Sequence, residues 1–140
     1  MTTFAPSPIR IAAAIIDDEQ GRLLLVRKVG TTSFMQAGGK IELGESPWSA
    51  LKRELIEEVG LDLAGQDQCY IGCFAAAAAN EAGRIVEAEL FHVRAGRQTV
   101  TAAEIAEARW VTRDEAALMS LAPLTREHVL PLSVKLADVR

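Results

Sequence analysis

The chain has 140 residues, 49 % hydrophobic and 24 % charged, with a formal net charge of −4. That length buries a core and that composition is of a folded globular protein rather than a disordered one. No apolar run approaches the roughly 18 residues of a membrane span, MTTFAPSPIR lacks the apolar centre of a secretory signal, and the acidic balance argues against coating a nucleic-acid polymer, so a cytoplasmic protein is expected.

Ile9 to Asp17 (IRIAAAIID) is a continuous apolar run, Asp18-Glu19-Gln20-Gly21 supplies turn residues, and Arg22 to Lys28 (RLLLVRK) is apolar again. Two strands joined by a tight connection are expected. Val29 to Ser33 reads as a short loop. Phe34-Met35-Gln36 then leads to Gly38-Gly39, where missing side chains permit a close approach that a Cβ would block.

The clearest helix follows. Ser46 is its N-cap, Pro47 its first residue and Gly60 its left-handed C′ residue. Trp48, Leu51, Leu55 and Val59 recur at spacings of three and four and form a buried stripe. At about 100° per residue, Glu58 and Glu54 fall beside that stripe, Glu57 further round and Arg53 beyond it. Glu54, Glu57 and Glu58 thus project from neighbouring positions, within reach of a common ion. At roughly 6 Å, each pair repels by on the order of 3 kcal/mol at an effective dielectric near 20, and by under about 1 kcal/mol if water screens fully. The last two also face the negative end of the helix dipole, typically unfavourable by roughly 0.3–1 kcal/mol. A divalent cation would remove both penalties. Arg53 and Glu57 are an i,i+4 pair in its weaker basic-before-acidic order.

Gln68 to Ala79 (QCYIGCFAAAAA) mixes helix-favouring alanines with strand-favouring Cys, Tyr, Ile and Phe, and reads as a strand. Asn80-Glu81-Ala82-Gly83 is a hairpin turn into Arg84 to Arg94, whose Ile85, Glu87, Glu89, Phe91 and Val93 share one parity. Ala108 to Val111 is a short strand, and Thr112 caps a helix through Met119. Beyond Pro123, a weaker helix is expected around Thr125 to Leu130, kinked or ended by Pro131. Cys69 and Cys73 read as small buried hydrophobes without chemistry, too far apart along a strand for a disulfide. With no internal repeat or linker, residues 1–140 read as one domain.

Gly39, five residues, Glu45, seven residues, then Arg53-Glu54-Leu55-Ile56-Glu57-Glu58-Val59-Gly60-Leu61 resembles the Nudix box, GX5EX7REUXEEXGU with U a bulky apolar residue. If each fixed residue matched by chance about one time in fifteen, all seven would coincide roughly once in 10⁸ starting points. The strands on either side also suit the Nudix order. The resemblance implies an α/β fold, an α/β/α sandwich around a mixed β-sheet, and hydrolysis of a nucleoside diphosphate linked to another group, with Mg²⁺ or Mn²⁺. Hard oxygen ligands suit those ions, which polarise phosphorus and lower the pKa of bound water.

Carried onto this chain, the resemblance makes Glu54, Glu57 and Glu58 metal ligands with the Gly38 carbonyl beside them. Arg53 would orient the glutamates and Glu45 would support the loop or an outer-sphere metal. The general base lies either inside the box or on a later loop, where Glu104 is the candidate with Glu107 behind it. Arg27 and Lys28, at the end of a strand entering the loop, are candidate phosphate contacts, with Gly39 on the same substrate side. Phe34, Phe74 and Trp110 either stack a base or pack the core. His92 and His128 are isolated and not catalytic. Ala37 stands where many family members have proline, a softer loop that loses no ligand. The box leaves the nucleotide open, from triphosphates to nucleotide sugars, ADP-ribose and dinucleoside polyphosphates. Dimerisation is common in that family, so a homodimer is among the assemblies it allows. A nucleotide sensor without turnover is the alternative, opposed by the intact repulsive cluster.

Overall fold

The computed structural model describes residues 7–96, 101–102 and 104–138. Strands β1 (Ile9–Asp17) and β2 (Leu23–Lys28) meet at the expected turn, where Asp18 Oδ1 accepts from the backbone N–H groups of Gln20 and Arg22 at 3.0 and 2.8 Å. Asp17 pairs with Leu23, and beyond that pair the strands splay. The chain re-enters the gap. Met35 bridges Val26, the Ala14 N–H donates to the Ala37 carbonyl at 3.0 Å, and β3 (Gly38–Lys40) runs antiparallel to β1 at Ile11 to Ala13. The two glycines are therefore part of the sheet rather than of a free loop.

The remaining strands are β4 (Tyr70–Ala77), β5 (Ile85–Arg94) and β6 (Ile105–Val111), in the order β4-β5-β1-β2-β6 with β3 on β1. β1 and β5 are parallel from Ile9↔Val86 to Asp17↔Arg94 and the other pairs are antiparallel, so the sheet is mixed. Successive side chains of a strand point to opposite faces, and here both faces are covered. Ala12, Ala14, Ile16, Leu24 and Val26 pack on Leu51, Leu55 and Val59 of helix α1 (Pro47–Val59). Ala13, Ile15, Leu23 and Leu25 pack on the other side against Ala116, from α2 (Arg113–Ala117), with Leu121, Leu124 and Val129. This is the expected α/β/α sandwich.

α1 has the expected ends. Ser46 Oγ accepts from the Ser49 N–H at 3.1 Å, and Gly60 at φ 67° turns the chain so that the Leu61 N–H reaches the Leu55 carbonyl at 3.1 Å. Four details depart from the sequence reading. β6 starts at Ile105, three residues early, because β2 pairs with it along its whole length. β5 buries both parities near its end, Leu90 on one face and Phe91 and Val93 on the other, since it lies inside a sheet covered on both sides. Cys69 and Cys73 are exposed rather than buried, because β4 is an edge strand. Pro131 does not end the last helix. A π-helical turn, Thr125–Val129, in which the Leu130 N–H reaches the Thr125 carbonyl, widens the backbone just before the proline, and α3 (Leu130–Asp138) continues through it. Thr112 caps α2 with a full capping box as expected, although α2 stops at Ala117 rather than Met119.

Leu55 is fully buried at the centre of the α1 interface. Leu55→Ala is expected to destabilise the fold by about 2–5 kcal/mol, read as a lower urea midpoint with an unchanged m-value.

Candidate active site

The C-terminal half of α1 lies over β3, and the two touch through the candidate site residues. Glu58 Oε1 accepts the Gly38 N–H at 3.0 Å. The Glu54 carboxyl group lies against the Cα of Gly39, where a Cβ would come within 2.5 and 2.6 Å of its two oxygens. Gly38 is equally confined, since a Cβ there would overlap the backbone of Ala12 and Ala13. Both glycines are required by close approach, as their pairing suggested.

Arg53 ties the cluster together. Its Nε and Nη2 donate to Glu45 Oε2 and Oε1, both at 2.8 Å, in a two-pronged pair. Nη1 donates to Glu54 Oε1 at 2.7 Å and lies 3.6 Å from Glu57 Oε2, while Nη2 also reaches the Lys40 carbonyl at 3.1 Å. The guanidinium holds the Glu45 carboxyl down at about 2, helped by the Glu42 N–H, and the paired carboxylates raise Arg53 in turn. The three box glutamates then grade in exposure as the helical wheel requires: Glu58 is 2 % exposed, the Glu54 side chain 14 % and the Glu57 side chain 53 %.

Glu58 is the anomaly. Burial pushes its carboxyl up to about 7; the Gly38 N–H and the charge of Lys28 pull it down, while Glu54 and Glu104 add repulsion. Among the described residues, a carboxylate so placed has one hydrogen bond in place of its hydration. Among the described residues no three His, Cys, Asp or Glu side chains already enclose an ion: Glu54 and Glu57 turn toward Arg53, and Glu58 toward Gly38. In kind, the donor set of hard carboxylate oxygens fits Mg²⁺ or Mn²⁺, and the under-compensated charge of Glu58 suits a cation.

The outlying candidates divide. Glu104 is brought to the cluster, its carbonyl accepting the Val29 N–H at 2.9 Å and its charge acting on Glu58, while the neighbouring Ala102 N–H donates to the Glu58 carbonyl at 3.1 Å. Lys28 and Lys40 line a cavity of about 140 Å³ together with Gly38 and Gly39, closed by Ala77 and Ala78 from the end of the alanine run. Arg27 has other partners: Nη1 donates to the Thr31 carbonyl at 2.8 Å and Nη2 lies 3.5 Å from Glu107. Phe34 is 8 % exposed, packed in the second core with the guanidinium groups of Arg27 and Arg109 over its ring, so it presents no face for stacking a base. Phe74 and Trp110 also pack against the two cores. His92 bonds buried Asp17 at 2.8 Å, and His128 the Ala75 carbonyl at 3.0 Å, neither within this cluster. Sequence reasoning missed the apolar cavity wall and Gln36 beside it, because their partners are remote in the chain.

The model of the NUDIX domain matches residues 7–132. The chain belongs to the Nudix family. It is 34 % identical over 122 residues to the CTP pyrophosphohydrolase of Escherichia coli, covering 82 % of this chain and 84 % of that protein. To the 8-oxo-dGTP diphosphatase of Haemophilus influenzae it is 44 % identical over 57 residues, 38 % of this chain and 42 % of that protein's length. The solution structure of the E. coli ORF135 protein superposes with a TM-score of 0.72 at 31 % identity, covering 94 % of this chain and 92 % of that one. A MutT protein from Methanosarcina mazei reaches a TM-score of 0.78 at 20 % identity over 97 % and 99 % of the two chains, a likeness of fold. The chain is accordingly a Nudix hydrolase, an enzyme of phosphorus anhydrides.

Two outcomes follow for this Nudix site. Gly39→Ala forces the Glu54 carboxylate aside, so nucleotide hydrolysis is expected to fall by about 100-fold, a loss that an ångström of misplacement can cause, while thermal unfolding shifts far less. In chelator, Glu58 ties stability to pH. Its folded-state value of about 7 lies above its ordinary 4.5, so its contribution is complete below 4.5 and is lost as pH rises through 7, a total of about 3 kcal/mol. Glu58→Gln should flatten that slope in urea titrations between these pH values.

Proposed function

We propose that residues 1–140 act as one unit, a divalent-metal-dependent pyrophosphohydrolase that cleaves the diphosphate bridge of a nucleoside triphosphate or related nucleotide by attack of water on phosphorus. The observation that carries this reading is a single contact surface: Glu54 and Glu58 touch Gly39 and Gly38, and those glycines line the same cavity as Lys28 and Lys40. Carboxylates able to hold cations, lysines able to meet phosphates and an apolar recess able to take a base are thereby adjacent. The likeness to a CTP pyrophosphohydrolase covers 82 % of this chain and that to RNA pyrophosphohydrolases 34 % of it, and the longer match supports a free nucleotide rather than a polymer as substrate; the net charge of −4 is consistent with this. A cytoplasmic setting completes the reading.

Glu54, Glu57, Glu58 and the Gly38 carbonyl would hold Mg²⁺ or Mn²⁺, which when bound neutralises the bridge and activates water. Arg53 is a positioning residue: it holds Glu54 and Glu57 on one side and Glu45 on the other. Lys28 would offset phosphate charge beside the cavity, joined by Lys40, whose Nζ lies 3.5 Å from Glu81 Oε1 on the same lining. Glu104, whose charge acts on Glu58, would accept a proton from the attacking water.

A panel of nucleoside triphosphates and diphosphate derivatives, assayed with Mg²⁺, Mn²⁺ or chelator beside the Glu57→Gln variant, tests this. Metal-dependent release of a nucleoside monophosphate is expected, reduced by about 10³-fold or more in the variant. Equal rates in chelator, or an unaffected variant, would sink the mechanism.

A further inference from the structure

Gln36 is 7 % exposed and lines the cavity two residues before Gly38. A primary amide has an acceptor end and a donor end. The acceptor end is occupied: Thr125 Oγ1 donates to Gln36 Oε1 at 2.7 Å. Thr125 is 1 % exposed and begins the π-helical turn, and its hydroxyl proton needs an acceptor in that dry setting, so this bond sets which way the amide points. The donor end, Nε2, has no hydrogen-bond partner among the described residues. It is not sealed in protein either, and the space that Gln36 borders is the cavity. Met35, Ala77, Val86 and Leu124 give it apolar wall, with the charged and polar Lys28, Lys40, Asn80 and Glu81 also on its lining.

Of the polar side chains that line the cavity, Lys40, Asn80 and Glu81 are exposed and Lys28 is half-buried, so the buried polar side chain that a flat heterocycle meets is Gln36, whose unpaired end donates. We infer that Gln36 determines base specificity, its Nε2 donating to a carbonyl oxygen of the nucleobase, with Thr125 the positioning residue that holds the amide in that orientation. The inference rests on the nucleotide reading above. Hypoxanthine and guanine carry a carbonyl where adenine carries an amino group, which would set donor against donor. A site built to bond a partner discriminates against an analogue that leaves its buried group unpaired.

Inosine triphosphate and ATP differ at the 6-substituent and, with it, at N1, which carries a proton in hypoxanthine and accepts in adenine. The wild-type ratio of kcat/KM is expected to favour inosine triphosphate by about 10- to 100-fold. Gln36→Met, of similar length but without a donor, should bring the ratio close to one, and Gln36→Glu should push it below one. Thr125→Val frees the amide and should erode the ratio, and Thr125→Ser should restore it, which a purely structural role for Thr125 would not produce. Equilibrium affinities of the wild-type protein for inosine and adenosine monophosphates need no variant and should show the same preference. A wild-type ratio near one, equal monophosphate affinities, or a ratio unmoved by Gln36→Met overturns the inference while leaving metal-dependent turnover intact. Hydrolysis of neither nucleotide overturns both the nucleotide reading and this inference.

Discussion

The guanidinium of Arg53 joins three pieces of chain that would otherwise repel or drift apart. It grips Glu45 on the loop with two prongs, Glu54 on the helix with a third nitrogen, and the Lys40 carbonyl at the end of β3. The Glu45 carboxyl, held at about 2, stays ionised at any ordinary pH, so the tie persists. A lysine could neutralise one carboxylate but has no fixed fork with which to orient two. Among the described residues, Arg53 is the hydrogen-bond partner that holds the Glu54 carboxylate beside Gly39.

The same helix serves core and chemistry, and the division follows its cylinder. Leu51, Leu55 and Val59 are fully buried against the sheet. Glu58 is one step round from that stripe, buried with them and carrying an elevated pKa, while Glu57 reaches solvent. A fold selected for stability alone would not bury a carboxylate whose hydrogen-bond partner among the described residues is one N–H. The cost is local, borne by an interface with ample apolar packing. The splay of β1 from β2 is the complementary device in the sheet, since it opens the gap that admits residues 35–40 and brings Gly38 and Gly39 beneath the carboxylates.

Local patterns were readable where the physics is local. Ser46, Pro47 and Gly60 mark the ends of α1 because capping involves residues within one turn, and the exposure order of the three glutamates follows from 3.6 residues per turn. Glu104 could be nominated only by resemblance, and its proximity to Glu58 arises from backbone bonds of residues 102 and 104 across long stretches of chain. The two cysteines are exposed against expectation because burial depends on which strand lies at an edge, and of the two roles open to Phe34 the core-packing one holds because its segment threads the interior. Pro131 broke no helix because the preceding turn had already widened, a tertiary adjustment invisible to propensity.

The sequence by itself determined the α/β class, the capped helix, the carboxylate cluster and its family, because each depends on residues a few positions apart or on a spaced motif. Tertiary structure decided what the cluster faces. The cavity draws on β1, the Gly38-Gly39 strand, the alanine end of β4 and Leu124, and the Gln36–Thr125 bond spans 89 positions. Spatial neighbours at such separations are set by strand order and layer packing, neither of which leaves a periodic trace in the chain.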